Sequence, residues 1–423
     1  MLKRLKLERF KSFEEAELEL GPLTIIVGPN ASGKSNIRDA FRFVHGISRG
    51  YSLAEIIGEK WGEGGVLQWR GIRGGLREAS FNGNDSFAIE VTFDVQDRGQ
   101  EREASYRIEV DVSTPHGAHV VAERLKVAGR GQYVFDSHPD SNAPSQGDSL
   151  HIAVRLRKET KAGYIGPQVS FVNTRPVLSQ LIEHADVRLP SVRDLAKAAS
   201  QALGSMRFLD LSPEAMRLPS IPGQVVLGDR GENLSSVLQL ICQDANKEAN
   251  LLQWVRELTP MDVVDFDFPM DQTGRVLATL VESGGRRTTA YSASDGTLRF
   301  LAMIAALLGP EAARFYFFEE LENGLHPTRL SLLVQLIEQQ VTRGSIQMVA
   351  TTHSPQLLSF LSSDALSHTV ESYRLDDGSE SGLTRILDLP EADRVISDQG
   401  LARLHASGWL EDAIAFSAPE KDS

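Results

Sequence analysis

Two short stretches near the start of the chain, "LKLERF" (5–10) and "AELEL" (16–20), alternate apolar and polar residues with a period of two. They predict antiparallel strands. The apolar run "LTIIVG" (23–28) predicts a buried strand, and Ile37, Phe41 and Val44 then recur at helical spacing, predicting a helix over about 36–45. A glycine-rich segment, 62–84, reads as loop, after which alternation returns in "FAIEVTFDV" (87–95) and "YRIEVDV" (106–112). Helical periodicity marks 177–183, 192–203 and 234–258, none long enough for an extended coiled coil. The last third alternates: helix "GTLRFLAMIAALL" (296–308), strand "RFYFF" (314–318), helix "TRLSLLVQLIEQQV" (328–341), strand "IQMVATT" (346–352). Such alternation predicts an α/β sheet with parallel strands.

Length adds that 423 residues exceed one simple core and suggest two to three compact units. The longest clearly apolar run, 300–308, is far short of the about 20 residues that span a bilayer, and the basic start lacks the apolar stretch of a signal peptide. A cytoplasmic protein with no membrane partner is expected. Cys242 is the single cysteine, which excludes an internal disulfide and a cysteine-based zinc site. The net charge of −13 argues against a uniformly basic nucleic-acid binder. Two local basic sets, Lys3, Arg4, Lys6, Arg9 and Lys11, and Arg70, Arg73 and Arg77, read either as a DNA-facing patch or as solvated faces. The polar stretch "DSHPDSNAPSQGDS" (136–149) reads as an exposed loop.

The candidate chemistry begins at "GPNASGKS": Gly28, Pro29, Asn30, Ala31, Ser32, Gly33, Lys34 and Ser35 fit G-x-x-x-x-G-K-[ST] between a predicted strand and a predicted helix. Glycines let the backbone curl so that amide hydrogens face phosphate oxygens, Lys34 offsets charge on the outer phosphates, and Ser35 can ligate Mg²⁺. A guanine reader of the Asn-Lys-x-Asp kind is missing, since "NKEA" (246–249) lacks the final Asp. Three further polar motifs lie at predicted element boundaries: "YSASDGTLRF" (291–300), "FYFFEELENGLHP" (315–327) and "VATTHSP" (349–355).

In that order these motifs resemble the signature, the second metal-binding strand motif and the switch histidine of ABC-type ATPases, in the branch of the RecF, SMC and overcoming-lysogenization-defect proteins. The resemblance covers roughly 1–95 and 290–389. It implies an α/β fold, a P-loop ABC-type ATPase head with a mixed central sheet, an antiparallel β subdomain and a helical insertion. Along the chain this is a P-loop lobe at 1–125, an inserted loop and helical region at 126–285 and a second ATPase lobe at 286–423. It implies ATP with Mg²⁺, the metal held by Ser35 and Glu319, Glu320 activating the attacking water, and His353 contacting the γ-phosphate. Asn30 and Asn36 would support the phosphate loop, while Glu322, Asn323 and His326 would occupy the stretch that faces the opposite protomer. Ser294 and Gly296 would touch ATP held by another subunit, which implies a head-to-tail homodimer with composite sites. The sequence departs from the family pattern at Glu319, mostly Asp in relatives, at Leu321, often Pro, and in a signature without its second adjacent Gly and terminal Gln. Gln68 is a candidate for the family's metal-contacting glutamine.

Some relatives carry a carboxyl-terminal metal nuclease. Only seventy residues follow His353, the pair Asp376 and Asp377 reads as a turn, and Asp265 and Asp267 suit a strand with exposed alternation. An ATPase without its own nuclease is therefore expected. Three functions stay open: an ATPase controlling a separate effector such as a nuclease in a bacterial anti-phage defence or DNA-processing complex, a RecF-like DNA repair clamp, and a nucleotide-stabilised scaffold with negligible turnover.

Overall fold

The computed structural model describes residues 1–65, 67–113, 117–138, 150–157, 166–183, 189–259, 261–311, 313–344, 346–374 and 380–417. Most of the polar stretch (139–149) and the expected turn carrying Asp376 and Asp377 lie outside the described residues. The chain forms two compact units, each assembled from separated segments: Met1–Gly21, Gly28–Met206 and Val370–Arg385 in the first, and Pro22–Val27, Arg207–Thr369 and Ile386–Ser423 in the second.

The first unit is built on an eight-stranded antiparallel sheet. Its spatial order is Gln168–Val172, His151–Leu156, Phe135–Asp136, His119–Val127, Gln100–Asp111, Ser86–Asp97, Leu2–Phe10 and Phe13–Glu19. The amino-terminal hairpin and the two later alternating runs are thus strands, as their period of two predicts, and the inward positions make one apolar face. Phe87 is the centre of that face, with ring centroids of Phe10 and Phe43 5.2 Å and 5.5 Å away. Phe43 comes from the helix Lys34–Ser48, which begins two residues earlier and ends three later than its periodicity suggests. The segment 126–285 supplies strands as well as helices, because short pieces such as Phe135–Asp136 pair at the sheet although they carry no periodic signal.

Parallel strands characterise the second unit, as the alternation of helix and strand predicts. Met206–Leu209, Phe315–Phe318, Gln347–Thr352 and Leu23–Val27 lie side by side in that order, and Gln347–Thr352 pairs in parallel with both Phe315–Phe318 and Leu23–Val27. All four residues of Phe315–Phe318 and all six of Gln347–Thr352 are buried, so polar side chains emerge where these strands end. The helices Asp295–Leu308 and Pro327–Thr342 accompany them.

One helix differs from expectation. The periodic stretch 234–258 is two helices, Leu234–Ile241 and Ala245–Leu258. The break occurs because the Asp244 side chain accepts from the amides of Asn246 and Lys247, and so caps a new helix. Cys242 lies at the break, where burial pushes its thiol up to about 12, a value at which it stays protonated and unreactive. Among the described residues, no helix is long and apolar enough to cross a membrane.

Candidate functional site

The phosphate loop belongs to the first unit. Gly28, with φ 144°, and Gly33, with φ 109°, hold backbone that L-residues rarely adopt, and Ala31 at φ 63° is left-handed despite its side chain. Space demands glycine as strongly as the dihedrals do: a Cβ on Gly28 would lie 2.0 Å from the carbonyl oxygen of Ser372, and one on Gly33 2.8 Å from the Phe13 ring. Ser372 also donates to the Ser32 carbonyl at 3.0 Å, so the loop is fastened from behind. Lys34 is buried, and its ammonium donates to the carbonyls of Gly28 at 2.7 Å and Pro29 at 2.6 Å. Asn30 is exposed, whereas Asn36 donates to the Ser12 hydroxyl at 2.7 Å and ties the helix to the turn between the first two strands.

Behind the loop, the buried Asp39 carboxylate takes Lys11 at 2.9 Å and Arg73 at 3.4 Å, and the Arg73 guanidinium also donates to the Ser35 carbonyl. Lys11 is buried in this pairing, while Arg73 is paired but half exposed. The rest of the amino-terminal basic set is compensated too: Lys3 by Asp94 and Glu103, Arg4 by Glu17, Lys6 by Glu8 and Glu15, Arg9 by Glu109. Carboxylates thus stand beside every cation of this set. Gln68 is exposed on the strand Leu67–Arg70, its side chain against Gly62.

The second unit holds the acidic, switch and signature motifs. Glu319 follows the strand Phe315–Phe318, its amide donating to the Leu209 carbonyl at 3.3 Å. Glu320 is left-handed at φ 50°, a conformation that costs a non-glycine residue about 1–3 kcal/mol and persists only where neighbours impose it. Here the neighbour is Thr351: its hydroxyl accepts from the Glu320 amide at 3.0 Å and its carbonyl from the Leu321 amide at 3.2 Å. The turned backbone sends the Glu320 carboxylate toward His353, with Oε1 3.9 Å from Nε2. The other oxygen, Oε2, accepts from the Asn323 side chain.

Ser294 caps the helix Asp295–Leu308, accepting from the Thr297 amide at 3.2 Å. The start of that helix is pressed against the turn that follows Glu320, since a Cβ on Gly296 would lie 2.1 Å from the Gly324 carbonyl oxygen. Arg217 wraps the signature turn, donating to the carbonyls of Tyr291 and Ala293 and to the Asp295 carboxylate. His326, expected among the outward-facing residues, caps the helix Pro327–Thr342, and Glu322 accepts from the His353 amide.

Comparison with known proteins accounts for both ends of this arrangement. Residues 1–63 match the family described as "RecF/RecN/SMC N terminal domain", and residues 175–359 match the one described as "AAA domain, putative AbiEii toxin, Type IV TA system". The chain is similar to an SMC head crystallised with the C-winged helix domain of ScpA, at a TM-score of 0.51 and 14% identity over 90% of this chain and 97% of that one. The chain has the fold of an SMC-type head domain, and its two ends match these two families. Local sequence likeness extends to the OLD nuclease of Thermus scotoductus, 52% identical over 46 residues, and to the chromosome partition protein Smc of Desulfitobacterium hafniense, 53% identical over 63. These matches span 11% and 13% of the chain, and only 9% and 5% of those longer relatives.

Within the head, sequence motifs marked the residues at strand and helix ends. They missed Thr351 and Arg217, and they named Asn323 without its contact to the Glu320 carboxylate; all three set the geometry of those ends. Thr351 stands inside a motif, two residues before His353, and could have been noticed there; Arg217 is 78 residues from Asp295 and had no local signal.

Proposed function

We propose that the head binds ATP with Mg²⁺ at Gly28–Ser35 and hydrolyses it, with Glu320 as the base that takes a proton from the attacking water. The observation that carries this reading is the placement of the Glu320 carboxylate, turned out of a buried strand by a left-handed residue, with Oε2 held by Asn323 and Oε1 directed at His353. A carboxylate with one oxygen fixed and the other aimed is the arrangement a general base needs.

The phosphate loop fits its ligand by the same test. Its glycines keep the backbone where a side chain would collide, and Lys34 already meets two carbonyl oxygens that phosphate oxygens can replace. Ser35 and Glu319 are the residues that would hold Mg²⁺. When bound, that ion offsets charge on the outer phosphates. Lys34 then neutralises the transferred group, Glu320 accepts the water's proton, and His353 steadies the γ-phosphate from its place beside Glu320.

The signature turn supports a pair of heads. Ser294 caps a helix whose first amides and small residues suit an anion, and in this reading Ser294 and Gly296 meet ATP held by a second copy. The nucleotide-dependent pair would control a separate effector, such as a nuclease in anti-phage defence or DNA processing. Equilibrium binding of a fluorescent ATP analogue tests the first step: Lys34→Ala, folded by circular dichroism, loses binding, and undiminished affinity would refute the assignment of the loop.

A further inference from the structure

We infer that Glu322 is a positioning residue for the switch histidine, clamping the backbone of His353 so that its imidazole faces Glu320. The inference rests on the hydrolysis proposed above for the same site. The Glu322 carboxylate Oε1 accepts from the His353 amide at 2.7 Å, across 31 residues of sequence. It is the third fastening in a row between the two strand ends, after Glu320 and Leu321 to Thr351. Thr351 lies within the strand Gln347–Thr352, and Ser354 is fixed by its amide to the Thr352 hydroxyl at 3.0 Å and by capping the next helix. His353 stands between these anchors, and the Glu322 carboxylate holds the amide between them.

The cost of this arrangement argues that it serves more than stability. Glu322 Oε2 is out of contact with solvent and has no hydrogen-bond partner among the described residues. A carboxylate with one oxygen shut off from solvent and unsatisfied is more expensive than an apolar side chain of similar size. What the carboxylate supplies in return is a short, charge-assisted bond to one amide. Because the backbone at His353 sets where the ring can reach, and Nε2 is 3.9 Å from Glu320 Oε1, slack at that amide would spread the imidazole over several orientations.

The test uses the full chain in three forms: wild type, Glu322→Ala and Glu322→Gln. Glutamine keeps an oxygen for the His353 amide and removes the charge, so it is the conservative variant that should rescue. Hydrogen exchange at the His353 amide, read by mass spectrometry with single-residue fragmentation, is expected to quicken at least about tenfold in Glu322→Ala and stay near wild type in Glu322→Gln, while Phe317 in the buried strand is unchanged in both. In steady-state ATP hydrolysis, Glu322→Ala should lower kcat by roughly thirtyfold with KM within about threefold, and Glu322→Gln should recover most of the loss. Unchanged exchange at His353 in Glu322→Ala overturns the clamp. Faster exchange with unchanged kcat overturns its role in positioning. A wild type that does not hydrolyse ATP refutes the hydrolysis reading itself, and the exchange measurement then decides the clamp alone.

Discussion

Arg217 donates to the Asp295 carboxylate at 2.6 Å, and the same guanidinium nitrogen reaches the Ala293 carbonyl at 3.0 Å, so one side chain spans the turn that presents Ser294. The Nε of the same planar group donates to the Tyr291 carbonyl at 3.4 Å, so a fork covers three acceptors where a single ammonium nitrogen would have to reach them all from one point. Arg217→Ala should therefore lower ATP hydrolysis by roughly tenfold, and Arg217→Lys should restore little of it. Phosphate-release assays on both variants check this; full activity in the lysine variant would mean that charge alone suffices.

The closeness of Gly296 to the Gly324 carbonyl makes a second expectation. An added methyl would meet backbone, which cannot rotate away as a side chain can. Gly296→Ala should cost about 1–3 kcal/mol of stability in urea titration, the range for forced overpacking, and should slow hydrolysis because the displaced turn carries Asn323, the partner of Glu320.

Away from the ATP site, Glu123 is fully buried, and burial pushes its carboxyl up to about 7 although it accepts from Tyr106 and from the amides of Val177 and Leu178. The folded chain thus holds a proton to higher pH than the unfolded chain, whose ordinary value is 4.5. Its contribution is fully present below about 4.5 and is lost as pH rises through about 7. The loss is on the order of 3 kcal/mol between these limits. Chemical denaturation at pH 5 and pH 8 should show that fall in wild type and a flatter profile in Glu123→Gln.

If Ser294 serves a second copy's ATP, two dead variants can complement. Mixing Lys34→Ala with Ser294→Arg should return up to about half of the sites' activity in each mixed pair, and so about a quarter in an equimolar mixture, because a mixed pair contains one site with both halves intact. Absence of recovery between folded variants that demonstrably exchange subunits would contradict the shared site.

How far these relationships could be read beforehand differs by kind. The phosphate loop, the buried strands and the helix holding Leu298 and Leu301 were legible because each is carried by adjacent residues or by a period of two or 3.6. The α/β class and the ATPase-head resemblance followed from the same local patterns. Asp244 splitting a periodic stretch into two helices is also a local event, but its capping competes with an apolar pattern that continues past it. The pairing of Lys11 with Asp39, of Arg217 with Asp295 and of Glu322 with the His353 amide has no local mark. Each depends on which strand ends become neighbours in space, so Lys11 and Glu322 also make fastenings that no local pattern marks.

The central claim is that Glu320 activates the water that attacks bound ATP. Single-turnover hydrolysis in Glu320→Gln, with nucleotide affinity measured in parallel, tests it most directly, because the substitution keeps shape and the Asn323 contact while removing basicity. The account predicts a rate lower by at least on the order of a hundredfold with nearly unchanged ATP binding. A Glu320→Gln protein that hydrolyses ATP at the wild-type rate would contradict it.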